Sequence, residues 1–144
     1  MAIIFHVLNI KISSAAEVFK ALTTTGGLAS WWTTGAEVSA GQAIFPFTPE
    51  YHKTMRIVEL LPEKRVLWEC VEGDRQWLGT TVAFEIEQEK DGLSLKFYHA
   101  GWEEETDLFG HCNFQWAKYL NSLKQYLETG QGNPHKFYGQ LAQA

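Results

Sequence analysis

The chain has 144 residues, of which 45% are hydrophobic and 20% charged. This composition predicts a single globular domain with a packed core and excludes wholesale disorder. The formal net charge of -5 comes without a cluster of Lys and Arg, so the sequence argues against nucleic-acid binding, which depends on clustered cations.

No segment approaches the roughly twenty consecutive apolar residues that cross a membrane, so no membrane association is expected. The first fourteen residues have no basic leader, and His6, Asn9 and Lys11 interrupt their apolar run, so no secretory signal is expected either. Two cysteines, Cys70 and Cys112, are few for a disulfide-stabilised secreted fold. Free thiols and a cytoplasmic location are therefore predicted.

The N-terminal region predicts a strand followed by a helix. Residues 3–12 are rich in Ile, Phe, Val and Leu and are ended by a pair of serines, which is typical of a strand. Ser14 and Glu17 have the spacing of a capping box, and the apolar residues after them repeat at helical intervals. This helix is expected to continue to about Thr24.

A second, shorter helix is expected directly afterwards. Gly26 and Gly27 are predicted to break the first helix, and residues 28–32 then form the second. Trp31 and Trp32 are neighbours on it, so their side chains should differ in direction by about 100°. One ring is expected to face inward and the other sideways.

The middle of the chain has the two-residue period of β-strands. Five short segments separated by turn residues predict strands at 42–48, 52–61, 64–72, 79–88 and 92–100. Alternation predicts the side chains that face the core, which are Val66, Trp68, Cys70, Val82, Phe84, Ile86, Leu93, Leu95, Phe97 and His99. The side chains expected to face water are Arg65, Glu69, Glu85, Glu87, Ser94 and Lys96. This pattern indicates an antiparallel sheet with one solvated face.

After Trp102 the apolar period changes to 3.6 residues. The stripe consists of Phe109, Cys112, Trp116, Tyr119, Leu120, Leu123 and Leu127. It predicts a long amphipathic helix that ends near Gly130. A single domain is expected over residues 1–132, followed by a C-terminal tail at 133–144. The order of elements indicates an α+β fold in which a twisted sheet curls around the last helix and can leave a cavity beneath it.

Four segments then resemble a known family: 60-LLPEKRVLWECVEG-73, 77-WLGTTVAFEI-86, 98-YHAGW-102 and 116-WAKYLNSLKQYLETGQG-132. Together they are similar to the START-like helix-grip superfamily, also called SRPBCC, and most closely to the heat-shock-protein ATPase activator homologues. The resemblance implies an α+β helix-grip fold of the pollen-allergen type. It does not select one function, because the superfamily includes lipid binders, hormone receptors, cyclases and cochaperone domains.

The segment 98–116 concentrates histidines, a cysteine and acids, yet it predicts neither a metal site nor a nucleophile. Neighbouring residues of a helix point about 100° apart, so His111 and Cys112 cannot easily bind one ion, and His99 adds no recurring ligand spacing. Cys112 lies on the buried stripe, where cysteine usually acts as a small hydrophobe, although Asp107 and His111 could form an orienting pair. The acids at 103–107 are expected to support the start of a helix. No catalytic residue, metal or cofactor is predicted.

His99 has two open interpretations. It is either the polar group of an aromatic pocket, able to hydrogen-bond a ligand or act as an acid or base, or a strand-end histidine bonded to backbone or water. The aromatic interior is open in the same way, because the rings either line a cavity or fill it. The predicted ligand-binding residues are Trp32, Phe45, Phe47, Trp68, Phe84, Phe97, His99, Trp116 and Tyr119.

Three functions follow as hypotheses. The first is binding of a small hydrophobic or aromatic ligand between the sheet and the C-terminal helix. The second, which the family resemblance implies, is an interaction module of the chaperone ATPase-activator type with a chaperone as partner. The third is an enzyme of the cyclase or aromatase kind, in which His99 or a cavity tyrosine does the acid-base work. The oligomeric state is expected to be a monomer or a homodimer formed through an exposed strand edge or the aromatic segment 135–138.

Overall fold

The structure is a computed structural model, and it describes residues 1–11 and 13–138. The strands are β1 (Ala2–Ile10), β2 (Glu37–Ser39), β3 (Gln42–Thr48), β4 (Tyr51–Leu61), β5 (Arg65–Glu72), β6 (Thr81–Glu89) and β7 (Gly92–Trp102). The helices are α1 (Ala15–Thr23), α2 (Thr25–Trp31) and α3 (Asp107–Thr129). The predicted elements are all present, with ends that differ by a few residues.

The seven strands form one antiparallel sheet in the order β1-β7-β6-β5-β4-β3-β2. Most of the sheet is a meander of hairpins, and β1 pairs with the last strand, β7, through most of its length. The sheet curves around α3, which confirms the predicted α+β helix-grip fold. The sequence did not predict β2, because three residues are too few to show an alternating pattern.

The two short helices meet at Thr24 and not at the glycines. The backbone N–H of Thr24 bonds to Lys20 O at the end of α1, and the Thr24 hydroxyl accepts from Gly27 N at 3.0 Å at the start of α2. The expected break at Gly26 and Gly27 is therefore wrong, since both residues lie inside α2. At the start of α1, the predicted cap is confirmed, because Ser14 Oγ accepts from Glu17 N at 3.1 Å.

The core is built largely from aromatic rings. All ten side chains predicted to face inward are buried. Trp31 and Trp32 are both buried as well, so the expectation that one of them faces sideways is wrong. Their rings stack with centroids 5.9 Å apart, which lets two adjacent tryptophans share the space between α2 and the sheet. Ser94 is also buried, contrary to prediction, because it is short and flanked by β1 on one side and β6 on the other.

Helix α3 begins and ends with defined caps. Thr106 Oγ1 accepts from Phe109 N at 3.3 Å, and Gly130 adopts a left-handed conformation with φ of 87°. Glycine reaches this conformation without the steric cost that a Cβ imposes, so the helix ends where the sequence predicts. Within the described residues, no helix is long and apolar enough to cross a membrane.

The chain after α3 returns to the domain. Asn133 N donates to Ser122 Oγ at 2.7 Å on α3, and His135 exchanges backbone hydrogen bonds of 2.8 and 2.9 Å with Trp32 O and Thr34 N. The imidazole Nε2 of His135 also bonds to Phe47 O at 2.7 Å. Residues 133–138 of the predicted tail thus pack on the loop after α2, and residues 139–144 lie outside the described residues.

Candidate ligand-binding cavity

A cavity of about 340 Å³ lies between the first half of α3, strands β3 and β4, and the connection between β5 and β6. Its walls are Trp32, Phe47, Tyr51, Lys53, Asp74, Trp77, Leu108, His111, Cys112, Gln115, Trp116 and Tyr119. The volume is near the lower end of the range of roughly 300 to 1,000 Å³ that is common for small-molecule sites. Aromatic walls with a few polar groups are also typical of such sites.

The structure separates the nine predicted ligand-binding residues into two groups. Four of them line the cavity: Trp32, Phe47, Trp116 and Tyr119. The other five lie in the packed core outside its walls: Phe45, Trp68, Phe84, Phe97 and His99. Rings fill the space there, since Phe84 has its centroid 5.3 Å from those of both Trp68 and Phe97. Both interpretations of the aromatic interior therefore hold in different places, with a filled core under the sheet and an open space beside α3.

His99 is fully buried, and both of its ring nitrogens are hydrogen-bonded. Trp116 Nε1 donates to Nδ1 at 3.0 Å, and Thr80 Oγ1 lies 2.8 Å from Nε2. The Thr80 hydroxyl donates its own proton to Trp77 O at 2.6 Å, so it accepts from His99 Nε2. Burial, assisted by the charge of Lys53, lowers the pKa of His99 from 6.5 to about 3. The imidazole is therefore neutral and connects two walls of the cavity, Trp77 and Trp116.

A charged cluster that the sequence did not predict stands in the cavity wall. Lys53 is only 7% exposed, and its ammonium bonds to the Tyr51 hydroxyl. Tyr51 in turn donates to Asp74 Oδ2 at 2.5 Å, while Lys53 Nζ and Asp74 Oδ2 are 3.8 Å apart. Three rings surround the ammonium at 5.0, 4.3 and 4.4 Å, those of Phe47, Tyr51 and Trp77.

The local structure explains why these groups meet. Tyr51 and Lys53 are two residues apart on β4 and so share a face, with buried Met55 next on that face. Asp74 and Trp77 come from the connection between β5 and β6, where Trp77 N donates to Asp74 O at 2.8 Å in a turn. The alternation at 51, 53 and 55 is a signal that could have indicated the inward lysine. Nothing in the sequence indicates that this connection folds back over β4.

The ionisation of the cluster follows from its burial. Desolvation lowers the pKa of the Lys53 ammonium, and the nearby Asp74 carboxylate opposes that effect. Burial, together with the hydrogen bond to Asp74, raises the pKa of Tyr51. At neutral pH Tyr51 is thus a neutral phenol, which accepts from Lys53 Nζ and donates to Asp74 Oδ2.

Cys112 lines the cavity as a thiol. It is buried, and Trp77 Nε1 donates to its Sγ at 3.3 Å. Burial raises the pKa of Cys112, which disfavours the thiolate that a nucleophile needs. Cys112 and Cys70 are both free, as predicted. His111 is exposed at the rim of the cavity, and within the described residues no group of three or more His, Cys, Asp or Glu side chains could hold a metal ion.

Solved structures with the same architecture place this fold in the helix-grip class. The solution structure of the Aha1 dimer from Colwellia psychrerythraea is 34% identical, with a TM-score of 0.83, and the match covers 92% of this chain and 100% of that one. MLL2253 from Mesorhizobium loti shares the fold at 16% identity, with a TM-score of 0.74 and coverage of 88% and 96%. CalU16 from Micromonospora echinospora shares it at 18% identity, with a TM-score of 0.65 and coverage of 91% and 75%.

The family itself is defined by the sequence match. Residues 13–128 match the family model described as "Activator of Hsp90 ATPase homolog 1-like protein". The chain belongs to this family, which confirms the resemblance drawn from its four segments. No curated protein matches the sequence.

Proposed function

We propose that the protein binds a small, flat, hydrophobic or aromatic molecule in the cavity between α3 and the sheet. The carrying observation is the cavity itself, since about 340 Å³ of space remains beside an interior that is otherwise filled with rings. Close-packed interiors have few voids larger than a water molecule. A space of this size, walled by Trp32, Phe47, Trp77, Trp116 and Tyr119, offers stacking surfaces to a planar ligand.

A space-filling substitution tests this proposal. Gln115 lines the cavity from α3, so Gln115→Trp should occupy the space and weaken binding of naphthalene-2-carboxamide, a neutral probe, at least 10-fold in isothermal titration calorimetry. Gln125→Trp is the matched control, because Gln125 is an exposed residue of the same helix outside the cavity walls. Equal binding by both variants and the wild type would place the probe elsewhere. If the wild type bound neither this probe nor its charged analogues, 2-naphthoate and 2-naphthylmethylammonium, the proposal would be overturned.

A second candidate function is interaction with a chaperone of the Hsp90 type. It is supported by the family match over residues 13–128 and by the 34% identity to an Aha1 structure that covers the whole of that chain. The test is the ATP turnover of a purified Hsp90-type chaperone with increasing amounts of this protein. Stimulation that saturates supports the function, whereas unchanged turnover together with no binding in a pull-down removes it.

The same Aha1 structure is a dimer, and it supports a homodimer for this chain. The outer face of β1 provides a candidate surface, because Ile3, Phe5 and Val7 alternate along this edge strand with 56%, 51% and 49% of each residue exposed. Exposed apolar stripes on an edge strand commonly serve association.

Light scattering after size exclusion tests this surface. Phe5→Ser should shift a dimer toward the monomer mass. Phe114→Ser removes a more exposed ring from α3 and serves as the control, which should leave the mass unchanged. A dimer that survives Phe5→Ser, or a wild type that is monomeric at high concentration, contradicts the proposed interface. A cytoplasmic location also stays a prediction, in line with the two buried free thiols.

A further inference from the structure

The buried ammonium of Lys53 is the polar feature of the cavity that the aromatic walls do not explain. Burying a lysine is costly, and proteins usually compensate with close hydrogen-bonded partners. Within the described residues, Lys53 Nζ makes one hydrogen bond, to the Tyr51 hydroxyl, although an ammonium has three donors. The Asp74 carboxylate is 3.8 Å away, which is an ion-pair distance beyond the length of a good hydrogen bond.

The ring contacts offset part of this cost without using an acceptor atom. The ammonium lies 4.3 Å from the Tyr51 centroid and 4.4 Å from the Trp77 centroid, within the distance of favourable cation–π contacts. These rings hold the charge in place beside the cavity. Donor capacity therefore remains for a hydrogen-bond acceptor on a ligand in the cavity.

The charge of Lys53 favours an anionic ligand over a cationic one. A cationic ligand would meet the fixed ammonium inside the same aromatic walls, and like charges at such distances repel strongly in a region of low dielectric constant. The Asp74 carboxylate already has two partners at its Oδ2 atom, since Tyr51 donates to it at 2.5 Å and Lys53 Nζ lies 3.8 Å away. Apart from Lys53 and Asp74, no Lys, Arg, Asp or Glu side chain lines the cavity within the described residues.

We infer that the cavity ligand is a small aromatic acid, a molecule of one or two rings whose carboxylate or phenolate binds Lys53 while its rings stack on Trp77 and Trp116. The inference rests on the proposed ligand-binding function and specifies the chemical class of the ligand. Tyr51 and Asp74 hold the lysine when the cavity has no anion, and the ligand's acidic group adds a closer partner than the 3.8 Å ion pair. The cavity of about 340 Å³ limits the ligand to this size.

Three probes of equal ring system distinguish the classes: 2-naphthoate, naphthalene-2-carboxamide and 2-naphthylmethylammonium. Calorimetry on the wild type at pH 7 should give an affinity for the naphthoate at least 10-fold above that for the carboxamide, with the ammonium probe weakest. Lys53→Met keeps the length and apolar stem of the side chain and should reduce the naphthoate affinity to that of the carboxamide. Lys64→Met, at an exposed turn residue, is the control that should leave the preference intact.

A second variant protects the test if Lys53→Met folds poorly. Asp74→Asn keeps the shape of the side chain and removes the competing carboxylate, so it should raise the naphthoate affinity several-fold and leave carboxamide binding unchanged. Binding of the carboxamide without any preference for the naphthoate, or preference for the ammonium probe, would overturn the inference while leaving the proposed function standing. Failure of all three probes to bind would overturn both.

Discussion

His99 is the residue whose interpretation the structure changes most. It lies in the core, with Trp116 Nε1 at 3.0 Å and Thr80 Oγ1 at 2.8 Å, so neither ring nitrogen is free for a ligand or substrate. Its two bonds join β7 to α3 and to the connection that carries Trp77. A histidine in this setting positions the tryptophan walls, so His99 is not available as the acid or base of the cyclase or aromatase hypothesis. The other candidate of that hypothesis is a cavity tyrosine, and Tyr51 and Tyr119 line the cavity.

Because His99 is buried as a neutral imidazole, the free energy of unfolding should depend on pH. The pKa of His99 is about 3 in the folded protein and 6.5 without the fold, so between these values the unfolded chain binds a proton that the folded chain does not. His99 therefore stabilises the fold above pH 6.5, and this contribution is lost progressively as the pH falls toward 3. Between pH 7 and 4.5, the free energy of unfolding should fall by about 2 to 3 kcal/mol more in the wild type than in His99→Gln.

Urea denaturation at a series of pH values measures this difference. His99→Gln should also cost about 1 to 3 kcal/mol at pH 7, because a buried tryptophan N–H loses a well-placed acceptor. His111→Gln controls for the loss of a histidine at an exposed position. Parallel pH curves for the wild type and His99→Gln would show that His99 is not the buried neutral group that the geometry indicates.

Among the elements, the pair α1 and α2 depends on one glycine. A Cβ at Gly27 would lie 2.7 Å from Ala21 Cα and 2.8 Å from the carbonyl oxygens of Ala21 and Lys20, so the two helices touch at their backbones. The neighbouring Gly26 has nothing within 4 Å of the same position. Of these two adjacent glycines, only Gly27 is required for the close contact between the helices. Alanine substitutions at the two positions should therefore have different effects on stability.

Gly27→Ala should destabilise the protein by about 2 kcal/mol or more, because backbone atoms of α1 cannot move aside as a flexible side chain can. Gly26→Ala should stabilise it by roughly 0.5 to 1 kcal/mol, since alanine has the higher helix propensity. Thermal unfolding followed by circular dichroism measures both changes. A neutral Gly27→Ala would mean that α2 can shift away from α1.

The helices and strands could be predicted from the sequence where the local residue pattern determines them. They could not be predicted where tertiary contacts determine them. Alternation was sufficient for the strands from β3 to β7, and the caps at Ser14 and Gly130 were sufficient for two helix ends. The cavity was only partly predictable, because Trp32 and Trp116 are apolar residues on recognisable faces. In the sequence, Lys53 resembles any solvent-facing lysine of a strand. It is buried because the connection that carries Asp74 and Trp77 covers it, and the sequence of that connection has no helical or strand periodicity that would predict this.

At the scale of the whole molecule, the segment after α3 closes the domain. Residues 133–138 contact α3 through Ser122 and the loop after α2 through Thr34. The bond from His135 to Phe47 O also fixes a residue of the cavity wall. The segment 133–138 thus packs against the predicted domain of residues 1–132.

Two truncations measure what this segment contributes. A chain ending after Tyr138 keeps every described contact and is the reference, and a chain ending after Gly132 loses those of residues 133–138. The shorter chain should unfold with a free energy lower by about 2 kcal/mol, given roughly 1 kcal/mol for each hydrogen bond less the entropy of ordering the segment. It should also bind naphthalene-2-carboxamide more weakly. Equal stability and binding in the two chains would show that the segment is dispensable.

The six tryptophans form one connected, buried set, and this gives the protein a distinctive optical signature. Trp32 stands nearly parallel to Trp31 and Trp68, with interplanar angles of 14° and 8° and centroids about 6 Å apart. Indoles this close share their excitation, so the chain should show split exciton bands in circular dichroism and a blue-shifted emission that reports the set as a whole. Trp77 and Trp116 border the cavity and belong to that set. A light-absorbing ligand bound in the cavity should therefore also quench the emission of tryptophans that it does not contact.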